Sequence, residues 1–150
     1  MSQQDVELVI EVFSVGGDPQ VEMGALMRDD DHWQRIRHRF SDDVEVRFVV
    51  PPSGGVEILD QQDFVGVDGL REGWGVWMEP WDEFRVVIED VVDTGTGKVL
   101  VLASAVGLMR GTGVQLPQEV ASLIRIEDGR IVSVGFYLDQ DQARKDAGLA

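Results

Sequence analysis

The sequence predicts an α+β domain: a strongly curved, mostly antiparallel β-sheet packed on N-terminal helices, with a short C-terminal helix. Three observations carry that expectation. Apolar residues recur at helical spacing between Val6 and Phe40, and the period switches to two at Val44. The second half is then a succession of β-branched stretches separated by Gly-rich turns.

Taken in order, Val6, Val9, Ile10 and Phe13 form a helical stripe behind Asp5, a plausible N-cap, and Gly16-Gly17 stops it. Pro19 opens a short second helix reaching Met27, and Asp30 or Asp31 caps a third with the stripe Trp33, Ile36 and Phe40. Val44, Val46 and Phe48 then alternate with Glu45 and Arg47, a strand with its first set facing inward. Residues 51–55, Pro-Pro-Ser-Gly-Gly, break that strand, and 56–59 read as a short extended piece. Asp68 caps a helix whose stripe is Leu70, Trp74, Trp77 and Trp81. Pro80 ends it near Glu79 and leaves Trp81 at its frayed end. Strands are expected at 84–92, 99–109, 119–126 and 131–138, the last two joined by the two-residue turn Asp128-Gly129, with a helix over 140–147. Gly107, Gly111 and Gly113 supply bends. A sheet so curved, capped by helices, closes into a cone with a pocket at its mouth.

Composition bounds the rest. The 150 residues suit one domain over 1–150, and 43% hydrophobic with 27% charged residues is a globular balance. The longest apolar run, 99–109, is interrupted by Ser104 and Gly107 and falls short of the roughly 20 residues of a membrane span. The start, MSQQDVE, lacks a secretory pattern and cysteine is absent, so a cytoplasmic protein is expected, without disulfides or thiol chemistry. The net charge of -15 argues against nucleic acid and anionic membranes as partners.

Residues 124–132, Ile-Arg-Ile-Glu-Asp-Gly-Arg-Ile-Val, followed by Phe136-Tyr137, resemble the final hairpin of SnoaL-like (polyketide-cyclase-like) domains of the nuclear transport factor 2-like superfamily. The tail Asp139-Gln140-Asp141-Gln142-Ala143, ending Ala147-Gly148-Leu149, is similar to that family's closing helix. Further matches are Gly69-Leu70-Arg71 before Trp77, Glu79-Pro80-Trp81 ahead of Phe84-Arg85-Val86, and residues 40–47 at the junction of helix and first strand. They run in order over most of the chain. The resemblance implies the cone and its pocket. It implies no single reaction, because the superfamily holds isomerases, cyclases, epoxide hydrolases, dehydratases and modules that only associate.

Isomerases and cyclases of this fold need a carboxylate base projecting into the cone. On the first strand the position where an isomerase carries it holds Phe48. Strict alternation places Asp90 with Val86 and Ile88 on the concave face, which makes Asp90 the candidate catalytic base. Asp90, Glu119, Arg110 and Arg125 do not converge as epoxide hydrolysis would require, since Arg125 falls on the outer face. His32 and His38, six apart and off the apolar stripe, read as surface or rim residues and cannot chelate a metal from one helical face; no metal and no cofactor are expected.

Ser122 lies on an apolar strand face, either as a polar handle for a ligand or as a tight fit bonded to backbone, and no Gly-x-Ser-x-Gly elbow surrounds it. Trp74, Trp77 and Trp81 share a helical face, which either packs on the sheet or walls a hydrophobic pocket through Trp77, with Trp33 facing it across the mouth. Phe48, Trp33, Trp74, Trp77 and Ser122 are thus the candidate ligand-pocket residues. The turns at 94–97 and 111–113 lack the context of phosphate loops.

Two functions remain open. One is a small-molecule-binding protein with an apolar cone, acting on a hydrophobic metabolite by proton transfer if it is an enzyme. The other is a non-catalytic homodimeric module that pairs through the outer face of the sheet at Leu123, Arg125, Ser133 and Tyr137.

Overall fold

The computed structural model describes residues 2–14, 18, 20–49 and 63–149. The predicted features at Gly16-Gly17, Pro19, 51–55 and 56–59 lie outside them. Helix α1 (Ser2–Phe13) starts ahead of the expected cap, so Asp5 sits in its first turn, where a negative charge meets the positive end of the helix dipole. The short strand β1 (Gln20–Glu22) follows, where the sequence predicted helix. Three residues with one buried side chain carry no periodic signal. What makes them a strand is antiparallel pairing with β4, from Gln20 opposite Val87 to Glu22 opposite Arg85.

Glu22 then caps α2 (Met23–Arg28), accepting from the backbone N–H of Gly24 and Ala25 at 2.9 Å each. Asp29, one residue before the expected cap, accepts from His32 N–H at the start of α3 (Asp30–Ile36). A single 3-10 turn at Arg37–Arg39 leads into β2 (Phe40–Val49). Val44, Val46 and Phe48 are fully buried there while Glu45 and Arg47 are exposed, the alternation the sequence predicts.

Strand β3 (Asp63–Val65) turns straight into α4 (Gly66–Trp77), two residues ahead of Asp68. Helix α4 stops at Trp77, and a turn over 78–80 delivers Trp81 into β4 (Trp81–Asp93). Trp81 is therefore the first residue of a strand and not the end of the helix. Pro80, which lacks an N–H for the helical ladder, explains the break.

Strands β5 (Lys98–Met109), β6 (Gln115–Glu127) and β7 (Arg130–Tyr137) complete the sheet, and α5 (Gln140–Asp146) is capped by Asp139. The order across the sheet is β1-β4-β5-β6-β7-β2-β3, antiparallel throughout except where β2 lies parallel to β7. The β6–β7 turn has φ of 53° at Asp128 and 76° at Gly129, the left-handed pair that a two-residue hairpin demands.

The two faces of the sheet do different work. The concave face carries the main core with α1, α2, α3 and α4, from Val9 and Val12 to Leu70, Phe84 and Ile124. On the outer face, Ala143 and Ala147 of the C-terminal segment pack on Leu100, Leu102, Ala121 and Tyr137. Bulges bend the sheet between Ile88 and Asp90 and between Arg125 and Ile126.

Helix α4 approaches the sheet at Gly73. A Cβ there would lie 2.6 Å from Phe48 Cε1 and 2.9 Å from Phe64 Cδ2, both in ring systems packed in the core. Gly75, on the solvent side of the same helix, has open space around it. Gly73→Ala should therefore lower stability in urea denaturation by about 1–3 kcal/mol through overpacking, despite its better helix propensity. Gly75→Ala should raise stability by up to about 1 kcal/mol.

Candidate functional site

The cone contains a cavity of about 70 Å³, measured as the space open to the centre of a water molecule. Helix α1 contributes Val9, Ile10 and Phe13 to its wall, Met23 begins α2, and α4 supplies Trp74 and Trp77. The concave sheet supplies Phe48, Phe84, Val86, Ile88, Val91, Ala103, Ser122 and Phe136 among others. No Asp, Glu, His, Lys or Arg is among the described wall residues. A dry apolar cavity of about 150 Å³ admits benzene, so a ring system enters this smaller one by moving wall side chains aside. The outer face of the sheet carries a different feature, a more polar depression of about 350 Å³ between Arg47, Lys98, Arg125, Tyr137 and Asp146.

Four of the sequence-predicted pocket residues, Phe48, Trp74, Trp77 and Ser122, line the cavity. Phe48 is central to its aromatic side, stacked on Trp77 (5.9 Å between centroids) and on Phe136 (5.1 Å) and edge-on to Trp74 (5.6 Å). Trp33 is elsewhere. It is buried against Phe40 and His32, its indole N–H donates to Leu26 O at 2.7 Å, and it does not line the cavity.

Asp90 also lies apart from the cavity. Ile88 pairs with Ala103 and Asp90 with Leu102, so Glu89 is an extra residue in β4. That bulge inverts the alternation: Val91, opposite Val101, takes the inward place, and Asp90 is exposed on the outer face. The concave position expected for Asp90 is thereby corrected. His32 differs too. It is 3% exposed, with Nε2 2.8 Å from Val12 O, and so ties α3 to the end of α1; His38 is exposed.

The wall's polar groups are few. Trp74 and Trp77 are 5% and 9% exposed, and their indole nitrogens, closed off from water, have no acceptor among the described residues. A buried donor left unpaired costs about 1–3 kcal/mol. Wall residues that the sequence reading passed over, such as Ile10, Met23, Ala103 and Phe136, are apolar members of ordinary stripes. Nothing in their type separates a cavity wall from packed core.

A family model, the SnoaL-like domain, matches residues 23–134. The chain belongs to the SnoaL-like domain family. Solved structures agree on the fold. A protein from Jannaschia sp. CCS1, assigned as a SnoaL-like polyketide cyclase, is similar with a TM-score of 0.65 at 20% identity, over 96% of this chain and 91% of that one. TerC, co-crystallised with polyporic acid, also gives 0.65, at 15% identity over 97% and 98% of the two chains. An NTF2-like protein of unknown function from Burkholderia pseudomallei K96243 gives 0.64, at 16% identity over 95% of each. No curated protein sequence matches the chain. Among the described residues no helix is long and apolar enough to cross a membrane, and no three His, Asp or Glu side chains gather as metal ligands.

On the outer face of this SnoaL-like domain, Tyr137 is buried and donates its hydroxyl to Asp146 Oδ2 at 2.7 Å, pinning α5 to the sheet. Burial first, then the bond to Asp146 and its charge, push the phenol well above its usual value near 10. A group whose proton the fold holds more tightly adds stability below its unfolded pKa, which is lost as pH rises toward the folded one. Tyr137 is the chain's only tyrosine, so phenolate absorbance reads it alone. The native protein should titrate above the ordinary tyrosine range and the urea-unfolded protein near 10. Stability should fall as pH rises above about 10. Tyr137→Phe should remove that tyrosine contribution to the fall.

Proposed function

We propose that this SnoaL-like protein binds a small, neutral, apolar molecule in the cavity between α1, α4 and the concave face of the sheet, without a side-chain carboxylate acting on it. The observation that carries this reading is the wall itself: rings and aliphatic side chains with the Ser122 hydroxyl, and no carboxylate or imidazole among its described residues. Enclosed apolar walls with a few polar groups are the usual form of a ligand site. TerC, a structural neighbour, was co-crystallised with polyporic acid, which supports an organic small molecule as the kind of ligand to seek. Proton transfer at Asp90 is not part of the proposal, because that carboxylate lies on the outer face.

Tetralin, a neutral bicyclic hydrocarbon, should bind the purified protein with heat detectable by titration calorimetry. Ala103 lines the cavity and is buried, so Ala103→Leu should weaken that binding at least about tenfold by filling space, with the melting temperature little changed. Asp90→Asn should leave the affinity unchanged. Tetralin that does not bind the unmodified protein would refute the reading.

A second reading, compatible with the first, is a homodimer through the outer face. Val87 and Val106 favour it: they are diagonal neighbours there, across the pairs Val87–Ser104 and Arg85–Val106, and are 37% and 40% exposed. Native mass spectrometry at micromolar concentration should show a dimer that Val106→Glu converts to monomer. A monomeric unmodified protein would remove this reading.

A further inference from the structure

The depression on the outer face is larger than the cavity in the cone, about 350 Å³ against 70 Å³ on the same measure. Strand register explains its shape. Glu45, Ser133, Arg125 and Lys98 stand side by side in one row across β2, β7, β6 and β5, and Arg47, Gly135 and Leu123 stand in the next. The short residues, Ser133 and Gly135, fall in the middle, so the sheet lies low between longer side chains. The Tyr137 ring closes one side. A Cβ on Gly135 would lie 3.0 Å from its Cε1, and its hydroxyl is bonded to Asp146 of α5.

The charge there runs against that of the chain. Arg47, Lys98 and Arg125 line the depression with Glu45 and Asp146, three cations to two carboxylates, whereas the whole chain has 13 Lys and Arg to 28 Asp and Glu. Lys98 and Arg125 are also directly opposite one another on the same face, a placement in which like charges repel. Their neighbours answer this only in part. Arg125 Nη2 pairs with Glu127 Oε2 at 2.5 Å. Lys98 Nζ donates to a carbonyl, Asp146 O at 3.4 Å, and has no carboxylate partner among the described residues. The Asp146 carboxylate accepts from Tyr137 through Oδ2 and from Gln142 through Oδ1. An anion lying between Lys98 and Arg125 would relieve their repulsion, and the neighbouring Ser133 hydroxyl can donate to it. Leu123 and Val65, the latter 64% exposed, add apolar surface to the same depression.

We propose that this depression is a second ligand site, taking a small organic anion. Its carboxylate or phosphate group rests between Lys98 and Arg125 above Ser133, with Arg47 on the other side of Gly135, and its apolar body lies against Leu123. A volume of this order is that of a small-molecule site. The proposal does not depend on what the cone binds: the two sites lie on opposite faces of the sheet, and among the described residues Tyr137 alone lines both.

The test titrates benzoate, phenyl phosphate, benzyl alcohol and inorganic phosphate into ¹⁵N-labelled full-length protein. Backbone amides of Leu123, Ser133 and Gly135 report the depression, and the Trp74 and Trp77 indoles report the cone. Benzoate or phenyl phosphate should move the first set and leave the second in place, with an affinity that falls as salt is raised. Benzyl alcohol, which has the ring without the charge, should bind at least about tenfold more weakly. Lys98→Met and Arg125→Met should each weaken anion binding at least about fivefold, and Lys98→Arg should preserve it.

No response at residues 133 and 135 to either organic anion would overturn the proposal and leave the cone reading untouched. Benzyl alcohol binding as tightly as benzoate would overturn it as well, as would an affinity indifferent to both Lys98→Met and Arg125→Met. Inorganic phosphate matching phenyl phosphate would reduce the depression to an adventitious ion site and equally sink the idea. The signal shifts are read on the unmodified protein, so a misfolded variant cannot decide the matter.

Discussion

Phe48 is the ring on which helix α4 and the sheet close. It stacks on Phe136 and Trp77 and meets Trp74 and Phe64 edge-on, with all four centroids within 6 Å. Burying such a side chain contributes about 1.5–3 kcal/mol by area alone, and each well-placed ring pair adds about 0.5–1.5 kcal/mol. The helix reaches that ring because residue 73 has no Cβ. One contact therefore sets the height of α4 above the sheet. That height decides how far the indoles of Trp74 and Trp77 extend over the concave face, and how much space stays unfilled between them and β4 to β6. Stability and cavity have a common origin here: a ring cluster packed tightly at one end of the helix holds open a gap that the smaller Ala103 and Ser122 do not fill.

How much of this is legible in the sequence depends on how far each signal extends. The alternation of β2 runs unbroken from Val44 to Phe48, and its inward set, Val44, Val46 and Phe48, can be read directly. So can the Leu70-Trp74-Trp77 stripe and the Asp128-Gly129 turn, because each has a periodic or stereochemical cause. Asp90 fails for a specific reason. In Val-Val-Ile-Glu-Asp-Val-Val the inward phase can run through Ile88 or through Val91, and one extra residue between them shifts the phase without leaving a compositional mark. Strand β1 is too short to have a period. His32 is read as a rim residue because its partner, the carbonyl of Val12, is a tertiary contact twenty residues away in the chain. Trp33 belongs to an apolar stripe in either case, and only packing shows that it serves the core and not the cavity.

The carboxylates make the same point about chemistry. The chain holds twenty-eight Asp and Glu, yet none of the described ones lines the cavity. Glu22 stands between Val21 and Met23, both of which line the cavity. Its two oxygens accept from the backbone N–H of Gly24, Ala25 and Phe84. That carboxylate joins β1, the start of α2 and β4 into one unit. Two of these amides belong to the start of α2, where the helix offers them no partner, and the third belongs to β4. A general base must present a free lone pair to the substrate, and Glu22 in this arrangement presents it to the backbone.

The cavity wall is polar in few places. Among the described residues Ser122 brings a hydroxyl to it, and no carboxylate or imidazole lines it. Trp74 and Trp77 contribute rings held by the cluster around Phe48, and Gly73 sets the helix that bears them. The aromatic packing that fixes the height of α4 over the sheet is thus also what shapes the cavity beneath it.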